Sequence, residues 1–299
     1  MKFSFWPNPS QPYADVLELA QHVERTGWDG IWYADHFMPN AEDTSAPWPE
    51  AWITLSALAA QVPRLSMGTL VAGNTYRHPA VLAKMAATLD HISGGRAILG
   101  LGAGWQENEH QQYGIPFYTV RERLARLDEA CHVIKALYTQ TKANFSGQYY
   151  QLDNASLEPK PLQYPLPLLI GGGGEKVTLK ITAQHADSWN VWGTVDTLKH
   201  KMSVLDKHCA TFKRDPKEIH RTAVALLFMN DDKAFIDKMK ATPMDMATII
   251  GSVDEVAEII KEYEQIGVDE LIVPDFTLGP MPQKLETLDT FICKVAGRS

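Results

Sequence analysis

PAVLAKMAATLDHISGGRAILGLG, residues 79–102, joins an amphipathic segment to a short apolar run through two glycines. Pro79 suits the first turn of a helix, and Gly94 supplies a left-handed stop. Between them an apolar stripe recurs at helical spacing: Val81, Leu82, Met85, Ala86, Leu89 and Ile92. The run at 97–102 has the length of a buried strand. The stretch therefore predicts a helix followed by a strand, the unit from which parallel α/β folds are built.

The same alternation extends along the whole chain. Short apolar or β-branched runs occur at 3–6, 30–34, 65–72, 97–102, 167–171, 188–192, 222–229 and 270–274. Helical periodicity separates them, with a capping box at Ser252 and Glu255 before the last run. Each crossover returns the chain to the same end of a sheet, so these strands pair in parallel. Eight units predict one domain over 1–299, a (β/α)8 TIM barrel; a doubly wound open sheet is the alternative.

Two intervals are longer than a crossover requires. Residues 139–166, after the fourth strand, are rich in proline, tyrosine and polar side chains. We interpret them as an insertion that forms a small hairpin over one end of the barrel. Residues 230–251, after the seventh strand, contain Met239, Met244 and Met246. A flexible lid is one interpretation of that segment, and a short packed helix is the preferred one.

Composition excludes several classes of partner. A net charge of −8 and a pI of about 5.7 leave no basic surface for nucleic acid or an anionic membrane. Cys131, Cys209 and Cys293 are too few and too widely spaced for a disulfide framework or a metal knuckle, which indicates a reducing compartment. Pro7 interrupts the N-terminus before a signal peptide core, and no apolar run could span a membrane. We expect a cytoplasmic protein with a small-molecule substrate.

Two glycine clusters resemble nucleotide-binding motifs but fail their tests. A dinucleotide motif starting at Gly100 needs glycine at the sixth position, where Trp105 stands. In LLIGGGGEKVT, residues 168–178, Glu175 and Val177 interrupt the contiguous Gly-Lys-Ser/Thr of a phosphate loop. What remains is a glycine run that follows a strand and opens a helix. Its free N–H groups suit a phosphate or carboxylate, although a tight turn is an alternative explanation.

Polar chemistry is expected where the strands end, because barrel enzymes carry it at their C-terminal face. YADHF, residues 33–37, places Asp35 and His36 there, and an imidazole can exchange a proton with a substrate or cofactor. Small residues end the third to sixth strands, which opens a slot suited to a flat ring. Trp105 and Trp192 are candidates to line that slot.

Other chemistries find little support in the sequence. Glu107, Glu109 and His110 form the densest group of possible metal ligands, but no second histidine follows at helical spacing. There is no Gly-x-Ser-x-Gly elbow, and no cysteine lies where an activated thiolate is expected. We therefore predict no metal. Glu107 and Glu109 are also possible helix caps, and Glu109 is a candidate catalytic residue beside His36.

Three segments resemble the luciferase-like monooxygenase superfamily, and within it the oxidoreductases that use the deazaflavin coenzyme F420. The segments are YADHF (33–37), GTLVAGNTYRHPAVLAKMAATLDHISGGRAILGLGAGWQENEHQQYGIPF (68–117) and LLIGGGGEKVTLKITAQHADSWNVWG (168–193). The resemblance implies a (β/α)8 barrel with a flavin or deazaflavin ring at its C-terminal mouth. It also implies a non-proline cis peptide at Leu70–Val71, phosphate near Gly172 to Gly174, and a homodimer. The implied cofactor-binding residues are Asp35, His36, Thr69, Leu70, Val71, Gly104, Trp105, Gly171, Gly172, Gly173 and Gly174.

One position departs from the family pattern. In the sugar-phosphate dehydrogenases of the superfamily, a carboxylate that follows the glycine after strand four donates a proton, and this chain has Trp105 there. We therefore do not transfer that activity. The expected function is hydride transfer between F420 and a small organic substrate. The alternatives are an FMN-dependent monooxygenase on the same barrel, and a cofactor-binding protein without turnover, which Trp105 would favour.

Overall fold

The computed structural model describes residues 1–298 and contains a barrel of parallel strands surrounded by helices. The strands are β1 (Lys2–Trp6), β2 (Gly30–Tyr33), β3 (Ser66–Thr69), β4 (Ala72–Gly73), β5 (Ala97–Gly102), β6 (Ala143–Ser146), β7 (Gln151–Ala155), β8 (Leu168–Gly171), β9 (Ser188–Trp192), β10 (His220–Val224), β11 (Leu226–Met229), β12 (Thr248–Gly251) and β13 (Glu270–Pro274). The helices are α1 (Tyr13–Arg25), α2 (Ala51–Ala59), α3 (Pro79–Ser93), α4 (Glu107–Tyr113), α5 (Val120–Thr139), α6 (Thr178–His185), α7 (Val195–Thr211), α8 (Lys233–Ala241), α9 (Val253–Gln265) and α10 (Met281–Thr290).

The barrel is closed by parallel pairing throughout. Its strands follow the order β3, β2, β1, β13, β10, β9, β8 and β5, and β5 returns to β3. Short β4 continues β3 beyond a bulge and also pairs with β5. Each of the eight apolar runs contains one barrel strand, so the (β/α)8 prediction is confirmed.

The residues predicted to begin and end helices do so in α3 and α9. α3 begins after His78, whose ring nitrogen accepts the N–H of Ala80 at 3.2 Å, and it ends at Gly94 with φ of 68°. α9 begins with the reciprocal hydrogen bonds of a capping box between Ser252 and Glu255. These local interactions satisfy backbone groups that a helix end leaves unpaired.

Two apolar clusters divide the interior. The larger one lies between the helices and the barrel, and a smaller one fills the barrel itself. The inner cluster consists of Trp6, Trp32, Ala34, Leu70, Leu169, Val224 and Ile272. At the start of β13, buried Glu270 accepts the indole N–H of Trp32 at 2.9 Å and lies 3.4 Å from His220. Burial would raise the pKa of Glu270, but hydrogen bonds from His220 and Trp32 more than offset it, so the pKa lies below its ordinary value.

The prediction of one strand over 222–229 is wrong, because this segment covers parts of two strands. β10 ends at Val224, and β11 leaves the barrel to pair with β12. Leu226 and Leu227 are as buried as the residues of β10, so the apolar run shows no break where the chain changes sheets. The second insertion therefore contributes α8 and a strand, and the preferred interpretation of a short helix is confirmed.

The first insertion forms the predicted hairpin, with β6 and β7 antiparallel. It packs along α5. The carboxylate of Glu129 accepts the N–H groups of Gln148, Tyr149 and Tyr150, which fastens the hairpin tip to the middle of that helix. Tyr150 also accepts a hydrogen bond from Asn74 at 3.2 Å, next to the end of β4.

The three cysteines are not joined in disulfides. Cys131 and Cys209 are buried free thiols, and Cys293 is an exposed one. Within residues 1–298, no helix combines the length and the apolar character needed to cross a membrane.

Candidate functional site

A cavity of about 1010 Å³ opens at the C-terminal ends of the barrel strands. Residues that end or follow β1, β2, β4, β5, β8 and β9 line it, together with Met246 from the second insertion and Phe276 after β13. Typical ligand pockets measure about 300 to 1,000 Å³, so this cavity has room for a ring system and a substrate together. Its position is the one predicted for an α/β barrel site.

The bulge after β3 lies in the cavity wall. The peptide bond between Leu70 and Val71 is cis, as the resemblance implied, and both residues line the cavity. The two methyl groups of Val71 occupy space next to β5 and β8. A Cβ at Gly102 would lie 2.8 Å from Val71 Cγ2, and one at Gly171 would lie 2.8 Å from Val71 Cγ1. Glycine is therefore required at both positions while Val71 stays in place.

The glycines of the fourth barrel strand serve separate purposes. A Cβ at Gly100 would lie 1.9 Å from the carbonyl oxygen of Thr69, so this glycine permits close packing of two strands. Gly104 has a φ of 82° and lines the cavity, where its left-handed backbone suits a residue without a side chain. Gly100 thus makes room for neighbouring backbone and Gly102 makes room for Val71. Gly104 lies at the cavity, where a ligand could contact it.

His36 is held in the cavity wall by a buried carboxylate. Its Nδ1 lies 2.8 Å from Oε1 of Glu109, and Oε2 of Glu109 accepts the N–H of Phe37 at 2.7 Å. The hydroxyl of Tyr76 also donates to Glu109. Since an ionised carboxylate can only accept, Nδ1 carries the hydrogen of this pair. Nε2 has no hydrogen-bond partner among the described residues, so it is an acceptor when the ring is neutral and a donor when the ring is protonated.

The protonation states in this network follow from burial and from its partners. The Glu109 side chain is completely buried, which by itself would raise its pKa. The hydrogen bond and charge of His36 and the N–H of Phe37 outweigh that effect, and the pKa lies below its ordinary value. Burial and the nearby carboxylate raise the pKa of Tyr76 far above its ordinary value, so the phenol keeps its proton. Glu109 therefore contacts His36 and does not itself reach the cavity.

Three of the predicted cofactor residues lie behind the wall. Asp35 accepts two hydrogen bonds from Arg77, at 2.6 and 3.1 Å, and does not line the cavity. Arg77 also binds Glu50 at 2.6 Å, and these carboxylates raise its pKa although burial would lower it. Thr69 donates its hydroxyl to a backbone carbonyl of β5. Gly174 also lies outside the lining. Asp35 thus supports the loop that carries His36.

The glycine run after β8 lies beside a helix N-terminus, as predicted. Gly171, Gly172 and Gly173 line the cavity, and Gly172 has a φ of 126°. α6 begins at Thr178, which also lines the cavity, and no side chain caps its N-terminus. The N–H of Leu179 donates to the carbonyl oxygen of Gly174, and the N–H groups of Thr178 and Lys180 remain available to an anion.

A lysine that the sequence did not single out lies next to this run. A Cβ built on Gly173 would be 3.7 Å from Cε of Lys201, whose ammonium binds Glu175 at 2.6 Å. Lys201 is carried by α7, a different unit from the glycines, so no local motif indicates it. Asn190 at β9 lines the cavity nearby and was also not predicted.

Aromatic side chains form much of the remaining wall. Trp105 is 61% exposed, and its ring lies 5.4 Å from that of His36 in a perpendicular arrangement. Trp6 packs against Trp192 at 5.9 Å and against Phe276 at 5.1 Å. The predicted lining by Trp105 and Trp192 is confirmed. Trp6 also lines the cavity; it ends β1 and lies within the first apolar run, so the sequence did not single it out.

The acidic group after β5 does not form a cluster. Glu109 faces His36, while His110 binds the carbonyl of Gln106 at 2.6 Å and the hydroxyl of Thr75 at 2.7 Å. Glu107 accepts a hydrogen bond from Gln111 one turn away. Because each side chain has a different partner, these residues do not share a ligand position.

Comparisons with known proteins agree with this geometry. The sequence model of the family described as luciferase-like monooxygenase matches residues 1–241. A protein of Amycolatopsis mediterranei named F420-dependent glucose-6-phosphate dehydrogenase is 40% identical over 165 residues, 54% of this chain and 49% of that protein. A namesake from Kineococcus radiotolerans is 40% identical over 165 residues, 54% and 48% of the two chains. The chain therefore spans about half the length of these relatives.

Solved structures share the fold over nearly the whole chain. An F420-dependent secondary alcohol dehydrogenase in complex with an F420-acetone adduct superposes with a TM-score of 0.84 and 20% identity, covering 98% of both chains. The F420-dependent tetrahydromethanopterin reductase of Methanopyrus kandleri has a TM-score of 0.83 and 19% identity, covering 99% of this chain and 98% of its own. Monooxygenase RslO1 from Streptomyces bottropensis has a TM-score of 0.82 and 18% identity, covering 99% of both. At these identities the likeness establishes the barrel fold.

The contact between Val71 and the glycines predicts a specific coupling. Gly171→Ala should lower the free energy of unfolding by about 1 to 3 kcal/mol, because its methyl overlaps both methyls of Val71. In a Val71→Ala background the nearest remaining atom of that residue would be its Cβ at 3.4 Å, so the same substitution should cost less. Urea unfolding of the two single variants and the double variant measures this difference.

Gly173→Ala is the matched control, since its Cβ would approach Val191 at 3.0 Å and no atom of Val71. Gly173→Ala should lower the free energy of unfolding by the same amount with and without Val71→Ala. If Gly171→Ala lowered the free energy of unfolding by the same amount with and without Val71→Ala, Val71 would not restrict the residue at position 171.

Proposed function

The chain belongs to the luciferase-like monooxygenase family, and on this premise we propose that it is an oxidoreductase that transfers hydride between coenzyme F420 and a small organic substrate. The observation that carries the proposal is the position of His36 at the cavity. Its Nδ1 is held by Glu109 while its ring lines a slot of glycines beside Leu70–Val71. A proton-exchanging group thus lies beside a space shaped for a flat ring.

The residues present fit a deazaflavin. Leu70, Val71, Gly104, Trp105 and Gly171 to Gly173 offer a slot with few side chains, bordered by one aromatic ring. The α6 N-terminus and Lys201 offer positive potential for a phosphate at the far end. Asp35, Thr69 and Gly174 support these residues from behind. FMN has a similar ring and phosphate, so this geometry alone does not separate the two cofactors.

The two curated relatives described above favour F420, since both are named as F420-dependent. The family description and the monooxygenase structure favour FMN as the second candidate. A protein that binds a cofactor without turnover is the remaining alternative.

The protein's own contribution is binding, orientation and proton transfer. When bound, the deazaflavin ring supplies the carbon that exchanges hydride with the substrate. His36 accepts the substrate's hydroxyl proton at Nε2 during oxidation, or donates a proton there during reduction. Glu109 holds the opposite nitrogen, so Nε2 remains directed at one place. Val71 fills the space beside Gly102 and Gly171 and forms part of the cavity wall.

The statements on assembly, extent and location are also proposals. The barrel architecture supports a single domain over 1–299. Free thiols at Cys131, Cys209 and Cys293 support a reducing compartment, the cytoplasm. Family membership supports a homodimer, which light scattering of the purified protein tests.

Cofactor titration tests the proposal directly. The purified protein is mixed with oxidised F420 or with FMN, and quenching of cofactor fluorescence is measured. We expect saturable F420 binding at micromolar concentrations, because the slot and its anion end match that cofactor. Micromolar FMN binding without F420 binding would overturn the proposal. Reduction of bound F420 by an alcohol, or oxidation of its reduced form by a carbonyl compound, excludes binding without turnover.

The role of Glu109 predicts a selective loss of rate. His36→Ala should lower kcat by about 10²- to 10⁴-fold, as expected for loss of an acid–base group. Glu109→Gln should lower kcat by about 10- to 100-fold while KM and F420 affinity change little, because only the orientation of His36 is lost. Steady-state kinetics and cofactor titration of each variant separate these effects.

Glu107→Gln is the matched control, because it removes a carboxylate two residues away that faces Gln111. It should leave kcat unchanged. An equal loss in Glu107→Gln and Glu109→Gln would contradict a positioning role for Glu109.

A further inference from the structure

The cavity offers no cationic side chain. Among the described residues that line it there is no lysine or arginine, and its charged groups are Asp43 and, when protonated, His36. A hydrogen bond from Ser45 lowers the pKa of Asp43, so that carboxylate is ionised at neutral pH. Lys201 lies at the glycine run, where the cofactor phosphate is proposed. The space left for a substrate therefore carries a neutral or negative potential.

The wall away from the glycines is largely apolar, although Asn8, Ser10, Asn40 and Asp43 also line the cavity. Trp6, Trp48, Trp192, Met246 and Phe276 line it. A phosphate group there would lose water without gaining a cation, which costs several kcal/mol. The indole N–H groups of Trp6 and Trp48 are buried and not exposed to the cavity. The wall thus offers mainly aromatic surface, which suits an uncharged substrate.

We propose that the substrate is an uncharged molecule with an apolar body and one hydroxyl or carbonyl group, and not a sugar phosphate. This inference rests on the proposed hydride transfer. In the oxidising direction the carbinol carbon loses hydride to the oxidised deazaflavin, the hydroxyl proton passes to Nε2 of His36, and a carbonyl forms. Trp105 agrees with this assignment, since no carboxyl group replaces His36 as the proton carrier. The activity named for the glucose-6-phosphate relatives therefore does not extend to this chain.

A matched pair of probes tests the substrate class. Acetophenone and 4-acetylphenyl phosphate differ only by a phosphate group, and the oxidation of reduced F420 by each is followed by absorbance. We expect kcat/KM for acetophenone to be at least about 10-fold higher, because an unpaired phosphate costs more than one factor of ten in binding. Equal or faster reaction of the phosphate would overturn the inference, as would reaction of neither probe by an F420-bound enzyme. Absence of F420 binding would instead contradict the proposed function.

Met246→Lys provides an independent measurement in the same wall. A lysine there should raise kcat/KM for 4-acetylphenyl phosphate at least about 10-fold relative to acetophenone, because it pairs the phosphate. Met239→Lys is the control, since Met239 does not line the cavity and should leave the ratio unchanged. An unchanged ratio in Met246→Lys would show that this wall does not contact the substrate.

A second inference concerns the outer helical layer and stands independently of the first. Asp128 and His132 lie one turn apart on α5, and His185 ends α6 beside them. Nε2 of His185 lies 2.9 Å from Oδ1 of Asp128, and the two imidazole rings are 4.5 Å apart and nearly perpendicular. One ligand atom from each residue lies within 4.8 Å of the others. Ligands on a tetrahedral zinc are roughly 3.3 Å apart, so small rotations bring these atoms together.

We propose that these three residues bind one divalent ion of the zinc, nickel and copper group. Two imidazoles and a carboxylate are the ligands those ions favour. His185 is buried while Asp128 and His132 reach solvent, so water can complete the coordination. The ion would connect α5 to α6. The sequence prediction of no metal considered the strand ends, and these ligands are brought together only by packing of two helices.

Zinc titration of chelator-treated protein tests this site. We expect one ion per chain by calorimetry, a rise in Tm on addition of ZnCl2, and at least about 10-fold weaker binding in His132→Ala and Asp128→Asn. His132 is exposed, so its loss should not prevent folding. His91→Ala, on α3, is the control and should bind as the unsubstituted protein does. Binding that survives His132→Ala, or no binding at millimolar zinc, would overturn the inference.

Discussion

The fit of Val71 against Gly102 and Gly171 is the constraint on which the site depends. Neither glycine can carry a side chain while Val71 holds its position between β5 and β8. Because protein interiors are close-packed, Val71 restricts which residues β5 and β8 can carry beside it and forms part of the cavity wall. The slot that remains is made mostly of backbone, and a flat ligand fits a surface of that kind.

The second constraint is the burial of Glu109. An ionised carboxylate without partners would cost far more than a folded protein can tolerate, so its oxygens must be satisfied. His36, the Phe37 backbone and Tyr76 provide the donors. The network joins α4 to the segments that follow β2 and β4, and His36 is positioned because the carboxylate must be neutralised. The orientation of the His36 ring is thus a consequence of folding energetics.

Local patterns in the sequence were sufficient for most of the fold. Helical periodicity, the stop at Gly94 and the capping box at Ser252 depend on neighbouring residues, so they could be recognised without tertiary structure. The division between β10 and β11 could not, because Leu226 remains buried after the chain leaves the barrel. The hairpin was predicted by composition, but its location depended on Glu129, which is carried by a helix.

By itself the sequence determined the alternating strands and helices and the position of His36 after β2, while its resemblance to a known family implied the cis peptide at Leu70–Val71. The tertiary structure alone decided which groups act together. Glu109 contacts His36, which lies 73 residues earlier in the chain. Asp35 accepts hydrogen bonds from Arg77, and Lys201 of α7 lies next to Gly173. Periodicity and motifs indicate only the helix, strand or turn in which a residue lies. Hydrogen bonds, ion pairs and cavities depend on distances that exist only after the barrel has closed.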